Sequence, residues 1–175
     1  TTYQWVRSPD FYHTGVASAY HSFGSTSPAE NGWLITPEVT LLAGSYVNFW
    51  ERTSWPADYD SGHFIYVCNT TNDCSTPPTN YTLVAETGQL PNTSWRSNSV
   101  SLDAFTGQTV KIAFVYTGLF ADGWYIDDVS VDAISAGAPI SDVAIPLAAL
   151  PAASNLPALA KFETHRDSGG DTLED

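Results

Sequence analysis

Two adjacent carboxylates, Asp127 and Asp128, interrupt a segment that otherwise has the composition of a strand. Residues 123–131 include Trp124 and Ile126, and aromatic and β-branched residues favour strands whereas aspartate does not. Like charges side by side repel each other, and carboxylate oxygens are ligands that Ca²⁺ prefers. The pair therefore predicts a calcium site. The alternative is that one aspartate is exposed and the other accepts backbone N–H bonds at a turn.

A second polar cluster places Asp58 and Asp60 at alternate positions, followed by Gly62 and His63. Alternate aspartates before a glycine resemble the spacing of a calcium loop. The twelve-residue pattern fails, because no glutamate closes it at the expected distance. Asp58 and Asp60 are therefore candidate metal ligands, and the alternative is a turn that leads into a strand over residues 63–67.

The chain has two cysteines, Cys68 and Cys74, with five polar residues between them. A tight turn would bring their sulfur atoms into bonding range. No further Cys or His is placed to complete a zinc site. We expect a disulfide that closes a short loop, and hence an oxidising compartment outside the cytosol. Two free thiols are the alternative.

Aromatic residues in turn-like segments suggest a second kind of chemistry, the stacking of sugar rings. The candidates are Trp55, Tyr59 and Phe120, which lie where loops often carry function. These rings could instead plug the ends of a sandwich, since 13% of the residues are aromatic and most must be core. Four tryptophans in predicted strands or at their edges are assigned to packing: Trp33, Trp50, Trp95 and Trp124.

Motifs for hydrolysis are absent from the sequence. It has neither a Gly-x-Ser-x-Gly nucleophile elbow nor a His-Glu-x-x-His zinc motif, and its four histidines do not cluster at ligand spacing. Among nineteen acidic residues a carboxylate pair arises easily, so a pair is no evidence of a glycosidase. We expect a domain without catalytic activity, although a longer parent protein could be a secreted peptidase.

The charge balance limits the partners. Six Lys and Arg face nineteen Asp and Glu, which gives a net charge of −13. Such a surface repels phosphate backbones and anionic membranes. No apolar run approaches the roughly 20 residues of a membrane helix. Nucleic acid and membrane insertion are therefore not expected, whereas cations, neutral glycans and protein ligands remain compatible.

Short β-rich runs separated by turn clusters predict the elements that must position these residues. No long segment shows helical spacing, so we expect an all-β, antiparallel sandwich of the jelly-roll type over residues 1–135. Val110–Tyr116 is apolar on one face and only partly polar on the other, which indicates a central strand. Residues 136–160, rich in Ala and Pro, are predicted to be a linker or a segment draped on the surface. Residues 161–175 are an acidic tail or the start of another module. The predicted strands are Trp33–Ile35, Tyr46–Trp50, His63–Val67, Tyr81–Val84, Ser99–Leu102, Thr109–Tyr116 and Trp124–Val131.

Seven short segments, in order over about residues 5–132, resemble the cleaved-adhesin or choice-of-anchor J domains, distant relatives of MAM domains. The segments include Gly32-Trp33-Leu34-Ile35-Thr36-Pro37, Thr93-Ser94-Trp95 and Gly123-Trp124-Tyr125-Ile126-Asp127-Asp128-Val129. The resemblance implies a β-sandwich accessory domain of a secreted bacterial or archaeal protein, often beside a peptidase or in an adhesin. It also implies bound calcium at Asp127 and Asp128.

The chain departs from that family at its first strand. The family opens with Phe-Glu, whose glutamate can join the metal site, whereas Trp5 here lacks these residues before it. Phe162-Glu163-Thr164 is similar to the opening strand but lies near the other end.

The leading hypothesis is a non-catalytic, extracellular adhesion module with structural calcium and flanking domains in the same chain. Its ligand would be a protein or a glycan on a surface. The alternatives are a carbohydrate-binding module that uses exposed aromatics, or a structural spacer beside a secreted catalytic domain.

Overall fold

A computed structural model describes residues 4–24, 29–55, 61–88, 90 and 93–133. Within these residues the regular structure is ten strands and one 3-10 turn, Asp103–Phe105. The strands are β1 Val6–Ser8, β2 Ser18–His21, β3 Glu30–Ile35, β4 Val39–Thr40, β5 Ser45–Thr53, β6 Ser61–Asn69, β7 Thr82–Glu86, β8 Arg96–Ser101, β9 Thr109–Gly118 and β10 Trp124–Ala133.

The strands form two antiparallel sheets that pack as a sandwich. The first sheet has the order β1-β2-β10-β5-β8, and the second has β3-β9-β6-β7 with β4 also paired to β9. Consecutive strands are seldom neighbours, so the chain crosses repeatedly between the sheets. The predicted all-β antiparallel sandwich is confirmed, and β9 is a central strand, as its one apolar and one partly polar face predicted.

Alternation along β5 explains how the core forms. Val47 and Phe49 are buried, whereas the intervening Asn48 and Trp50 are half-buried on the other face. Phe49 meets Phe114 of β9 edge to face, with 5.0 Å between ring centroids. Each aromatic or aliphatic side chain buried in this way contributes about 1.5–3 kcal/mol. The interior therefore holds the two sheets together mainly by apolar contact.

The sequence located seven of the ten strands and missed β1, β2 and β4. These three are only three, four and two residues long, which is too short for an alternating pattern to be recognised. All four residues of β2 are buried, so neither of its faces is exposed. The predicted divisions at residues 136–160 and 161–175 lie outside the described residues.

The predicted disulfide is present. Cys68, in β6, is bonded to Cys74 in the following turn, with 5.9 Å between their Cα atoms. Among the residues described, no helix is long and apolar enough to cross a membrane.

Candidate ligand-binding groove

The paired aspartates occupy a β-bulge in β10. Asp127 lies opposite Trp50 and Ser130 lies opposite Asn48, so two residues of β10 face a single residue of β5. Asp128 has a φ of 49°, the left-handed conformation that aspartate tolerates better than most residues. Because the extra residue interrupts the alternation, both carboxylates reach the outer face of the first sheet.

The loop of residues 9–17, which joins β1 to β2, supplies partners to both carboxylates. Oδ2 of Asp127 accepts the backbone N–H groups of His13 and Thr14 at 2.7 and 3.2 Å. Oδ1 of Asp127 accepts the N–H of Asp128 at 2.9 Å. Oδ2 of Asp128 lies 2.6 Å from Nδ1 of His13, and Oδ1 accepts the hydroxyl of Thr14. Burial raises the pKa of Asp127 above its usual value, and the three N–H bonds oppose that shift.

His13 also contacts two tryptophans. Its ring stacks on Trp50 at 3.8 Å between centroids and 13° between planes, and its edge meets Trp95 at 5.9 Å. Nearby, the guanidinium of Arg52 lies 3.9 Å from the centre of the Phe11 ring, a cation–π contact that holds the same loop over the sheet. Together, the rings of Phe11 and His13 from the loop and the rings of Trp50 and Trp95 form an aromatic wall over β5.

A groove of about 380 Å³ runs beside this wall. The pairing of β5 with its neighbours places Ser97 opposite Trp50, and Ser99 and Ser130 opposite Asn48, all on the outer face. One aromatic ring thus stands beside an amide and several hydroxyl groups. The lining residues are Asn48, Phe49, Trp50, Ser97, Asn98, Ser99, Asp128 and Ser130.

The arrangement around Asp127 and Asp128 does not fit a bound cation. All four carboxylate oxygens already accept hydrogen bonds from the chain, whereas Ca²⁺ needs six to eight oxygen ligands directed at it. Within the described ranges, no group of three or more His, Cys, Asp or Glu side chains could hold a metal ion. Calcium at Asp127 and Asp128 stays a prediction from the sequence, and this arrangement gives it no support.

The second predicted metal cluster falls largely outside the description. Asp58, Tyr59 and Asp60 belong to residues 56–60, which the structure does not describe. His63 is fully buried in β6 and stacks on Trp124 at 4.3 Å. Burial, with the charge of Arg96, lowers the pKa of His63 to about 3, so this imidazole is neutral at physiological pH.

A serine, a histidine and a glutamate meet in the core without forming a catalytic triad. Oγ of Ser61 lies 3.0 Å from Nε2 of His63, but Nδ1 of His63 is 4.0 Å from Glu51, beyond hydrogen-bond distance. Glu51 instead accepts bonds from four other side chains. All three residues are buried, which leaves a substrate no access. The donors to Glu51 are Thr87, Arg96, Asn98 and Trp124.

Of the predicted glycan residues in loops, Trp55 and Phe120 are described and neither lines the groove, whereas Tyr59 lies outside the described residues. Trp55 is half-buried, and its backbone N–H donates to Asp122 at 2.8 Å. Asp122 also accepts the N–H groups of Ser54 and Gly123, and burial raises its pKa to about 6. Phe120 is 49% exposed with a φ of 50°. A ligand-binding role for Trp55, Tyr59 and Phe120 stays a prediction.

Trp50 packs as assigned, but against His13 on the outer face of the sheet and not in the core. Trp124 is wholly buried, as assigned, whereas Trp33 is half-buried on the outer face of the second sheet. The signal was present in residues 46–50, where Val47 and Phe49 alternate with Asn48 and Trp50. His13 gave no local signal, since its partners lie about 115 residues away.

The chain matches no protein-family model and no curated protein sequence. Its structure is similar to the K1 cleaved adhesin domain of Lys-gingipain from Porphyromonas gingivalis W83, at 22% identity and a TM-score of 0.54, over 76% of this chain and 85% of that one. The K3 domain of the same protein aligns at 19% identity and 0.52, over 68% and 75%. A family 30 carbohydrate-binding module of a cellulosomal cellulase from Clostridium thermocellum aligns at 8% and 0.53, over 75% and 83%.

These likenesses show the fold. The resemblance to cleaved-adhesin domains, first drawn from seven short segments, is thereby confirmed as a shared β-sandwich architecture.

Proposed function

We propose that this domain is a non-catalytic binding module of a secreted or cell-surface protein, and that it binds an uncharged glycan in the groove beside Trp50. The observation that carries the proposal is the composition of the groove: an aromatic ring next to an amide and a row of serine hydroxyls. Concave sites with a few placed polar groups around an apolar contact are typical of ligand binding.

Sugars present two surfaces that match these groups. The C–H face of a pyranose ring is apolar and packs against an aromatic ring, here the face of Trp50 opposite the one that His13 covers. Its hydroxyl groups both donate and accept hydrogen bonds, as do the amide of Asn48 and the hydroxyls of Ser97, Ser99 and Ser130.

Charge narrows the class of glycan. Among the lining residues that the structure describes, Asp128 is the charged side chain, and the chain as a whole carries a net charge of −13. Carboxylated or sulfated sugars would bring a second negative charge next to Asp128 with no opposite charge in the lining. An uncharged polysaccharide avoids this cost.

The neighbours in fold support a binding role and not catalysis. Two are named adhesin domains and one is named a carbohydrate-binding module. The disulfide between Cys68 and Cys74 supports an oxidising, extracellular location. The metal predicted from the sequence is no part of this proposal.

The proposal is tested by screening the chain on an array of neutral and anionic polysaccharides and titrating any neutral ligand by calorimetry. Trp50→Ala should weaken binding at least tenfold, since it removes the stacking surface. Trp33→Ala is the matched control, because Trp33 is also half-buried on an outer sheet face but lies on the opposite sheet. Equal affinity in both variants, or a preference for anionic sugars, would contradict the proposal.

A second candidate is a protein ligand at the loop between β9 and β10. Leu119 and Phe120 are adjacent and about half exposed, at 50% and 49%. Exposed apolar side chains on a loop tip suit adhesion to a protein better than to a polar glycan. If Phe120→Ser abolishes attachment to a protein-coated surface and Trp50→Ala does not, this second candidate replaces the first.

A further inference from the structure

We propose that the chain fixes its own loop at the paired aspartates without a cation: His13 and Thr14 supply the hydrogen-bond donors that neutralise Asp127 and Asp128. We call these four residues the clamp. The inference goes beyond the proposed ligand, and its test uses no glycan.

The first step is that every oxygen of the two carboxylates has a donor from the chain. Each of the two oxygens on Asp127 and each of the two on Asp128 accepts at least one hydrogen bond, from backbone N–H, hydroxyl or imidazole donors. A carboxylate that accepts several N–H bonds is stabilised in its charged form. The repulsion within the pair is thus offset by dipoles that belong to the chain.

The second step concerns His13. Carboxylate oxygens only accept, so the 2.6 Å contact between Nδ1 of His13 and Oδ2 of Asp128 places the proton on Nδ1. Both side chains remain about 30% exposed, at 28% and 30%. The donor to Oδ2 of Asp128 is therefore a side chain of the loop itself.

The third step links the clamp to Trp50 and Trp95 of the aromatic wall. The same imidazole stacks on Trp50 at 3.8 Å, and its edge faces Trp95. A ring held at one nitrogen and covered on one face has little rotational freedom. The clamp therefore fixes the orientation of Trp50 as well as the position of the loop.

The test begins with thermal unfolding of the full chain in EDTA and in about 10 mM Ca²⁺, which exceeds the Kd of typical extracellular calcium modules. We expect the same midpoint in both solutions. A metal bound only by the folded state would raise the midpoint by several degrees. A rise that disappears in Asp127→Asn would overturn the inference. A rise in the midpoint that persists in Asp127→Asn would show that the ion binds elsewhere, which supports the inference.

Variants of the loop then test the clamp directly, with EDTA present throughout. His13→Ala should lower the midpoint by several degrees and change the near-ultraviolet circular dichroism of the tryptophans, because the stack on Trp50 is lost. Val16→Ala is the control, since Val16 is on the same loop and 69% exposed. If His13→Ala matches Val16→Ala in both measurements, the clamp does not hold Trp50 and the inference is wrong.

Discussion

Two regions of this domain neutralise carboxylates in different ways. In the core, Glu51 is fully buried and accepts bonds from side chains that come from two strands, β8 and β10, and a loop. Nearer the surface, the carboxylates of Asp127 and Asp128 are stabilised by a single loop, through two backbone N–H groups and the side chains of His13 and Thr14. The core network adds a full opposite charge, from Arg96, whereas the surface pair relies on N–H dipoles and one imidazole.

The difference follows from the solvent. A charge removed from water requires a partner of opposite charge and several hydrogen bonds, or its burial is very costly. A charge at the surface is partly hydrated, so dipoles from a nearby loop are sufficient. Breaking the core network should therefore destabilise the whole fold, whereas breaking the surface pair should mainly affect the position of one loop.

The largest effect should come from breaking the core network. Arg96→Met leaves Glu51 buried without its opposite charge, so the free energy of unfolding should fall by about 3–5 kcal/mol in urea titrations. The control is Lys111→Met, which breaks the 3.9 Å surface pair with Glu38 and should cost about 0–1 kcal/mol. Similar losses for the two variants would show that Glu51 is better hydrated than its burial indicates.

An intermediate effect should appear with pH beside that network. The pKa of His63 is about 3 in the folded protein and ordinarily about 6.5, so the unfolded chain binds the extra proton between these values. Stability contributed by neutral His63 is present above pH 6.5 and is lost as pH falls. From pH 7 to pH 5 the loss should be about 2 kcal/mol.

The measurement is urea unfolding at both pH values, in the wild-type chain and in His63→Gln. The variant should lack this loss, whatever its stability at pH 7. The comparison between chains is needed because Asp122 acts in the opposite sense: its pKa is raised to about 6, so it favours the folded state as pH falls. If the two chains show the same pH dependence, His63 is not the group that titrates.

The smallest effect should come from the surface pair. Asp127→Asn keeps one acceptor but presents an amide to the N–H groups of His13 and Thr14, and we expect a loss of about 1–2 kcal/mol. Asp10→Asn removes one negative charge from the loop itself, outside the clamp, and should change stability by less than about 0.5 kcal/mol. Hydrogen exchange of the His13 and Thr14 amides should quicken in the first variant alone. If exchange of these amides is unchanged, the carboxylate of Asp127 does not hold the loop in position.

The sequence was a good guide to strands and a partial guide to the site. Alternation found β5, β6, β9 and β10, because each has at least nine residues and buries one face more than the other. The close spacing of Cys68 and Cys74 predicted their bond correctly. The adjacent aspartates in a strand were read as metal ligands, although two successive polar residues in a strand also signal a bulge.

What the sequence could not provide was the partner of each charge. His13 and Asp128 are 115 residues apart, and Glu51 and Arg96 are 45 apart, so no local pattern connects them. Their pairing depends on the sheet order, which places β2, β10, β5 and β8 side by side. The register between distant strands, and not the residue types, therefore determines which donors each carboxylate receives.

The sheet order also determines how the domain would carry a mechanical load. Val6 of β1 lies opposite Tyr20, which in turn lies opposite Tyr125 near the start of β10, whereas Ala133 ends that strand opposite Ser45. The first and last described strands therefore run in the same direction, and their outer ends are roughly 25 Å apart along the sheet. Tension between these ends would act along the strands and shear many inter-strand hydrogen bonds at once, instead of unzipping them one by one.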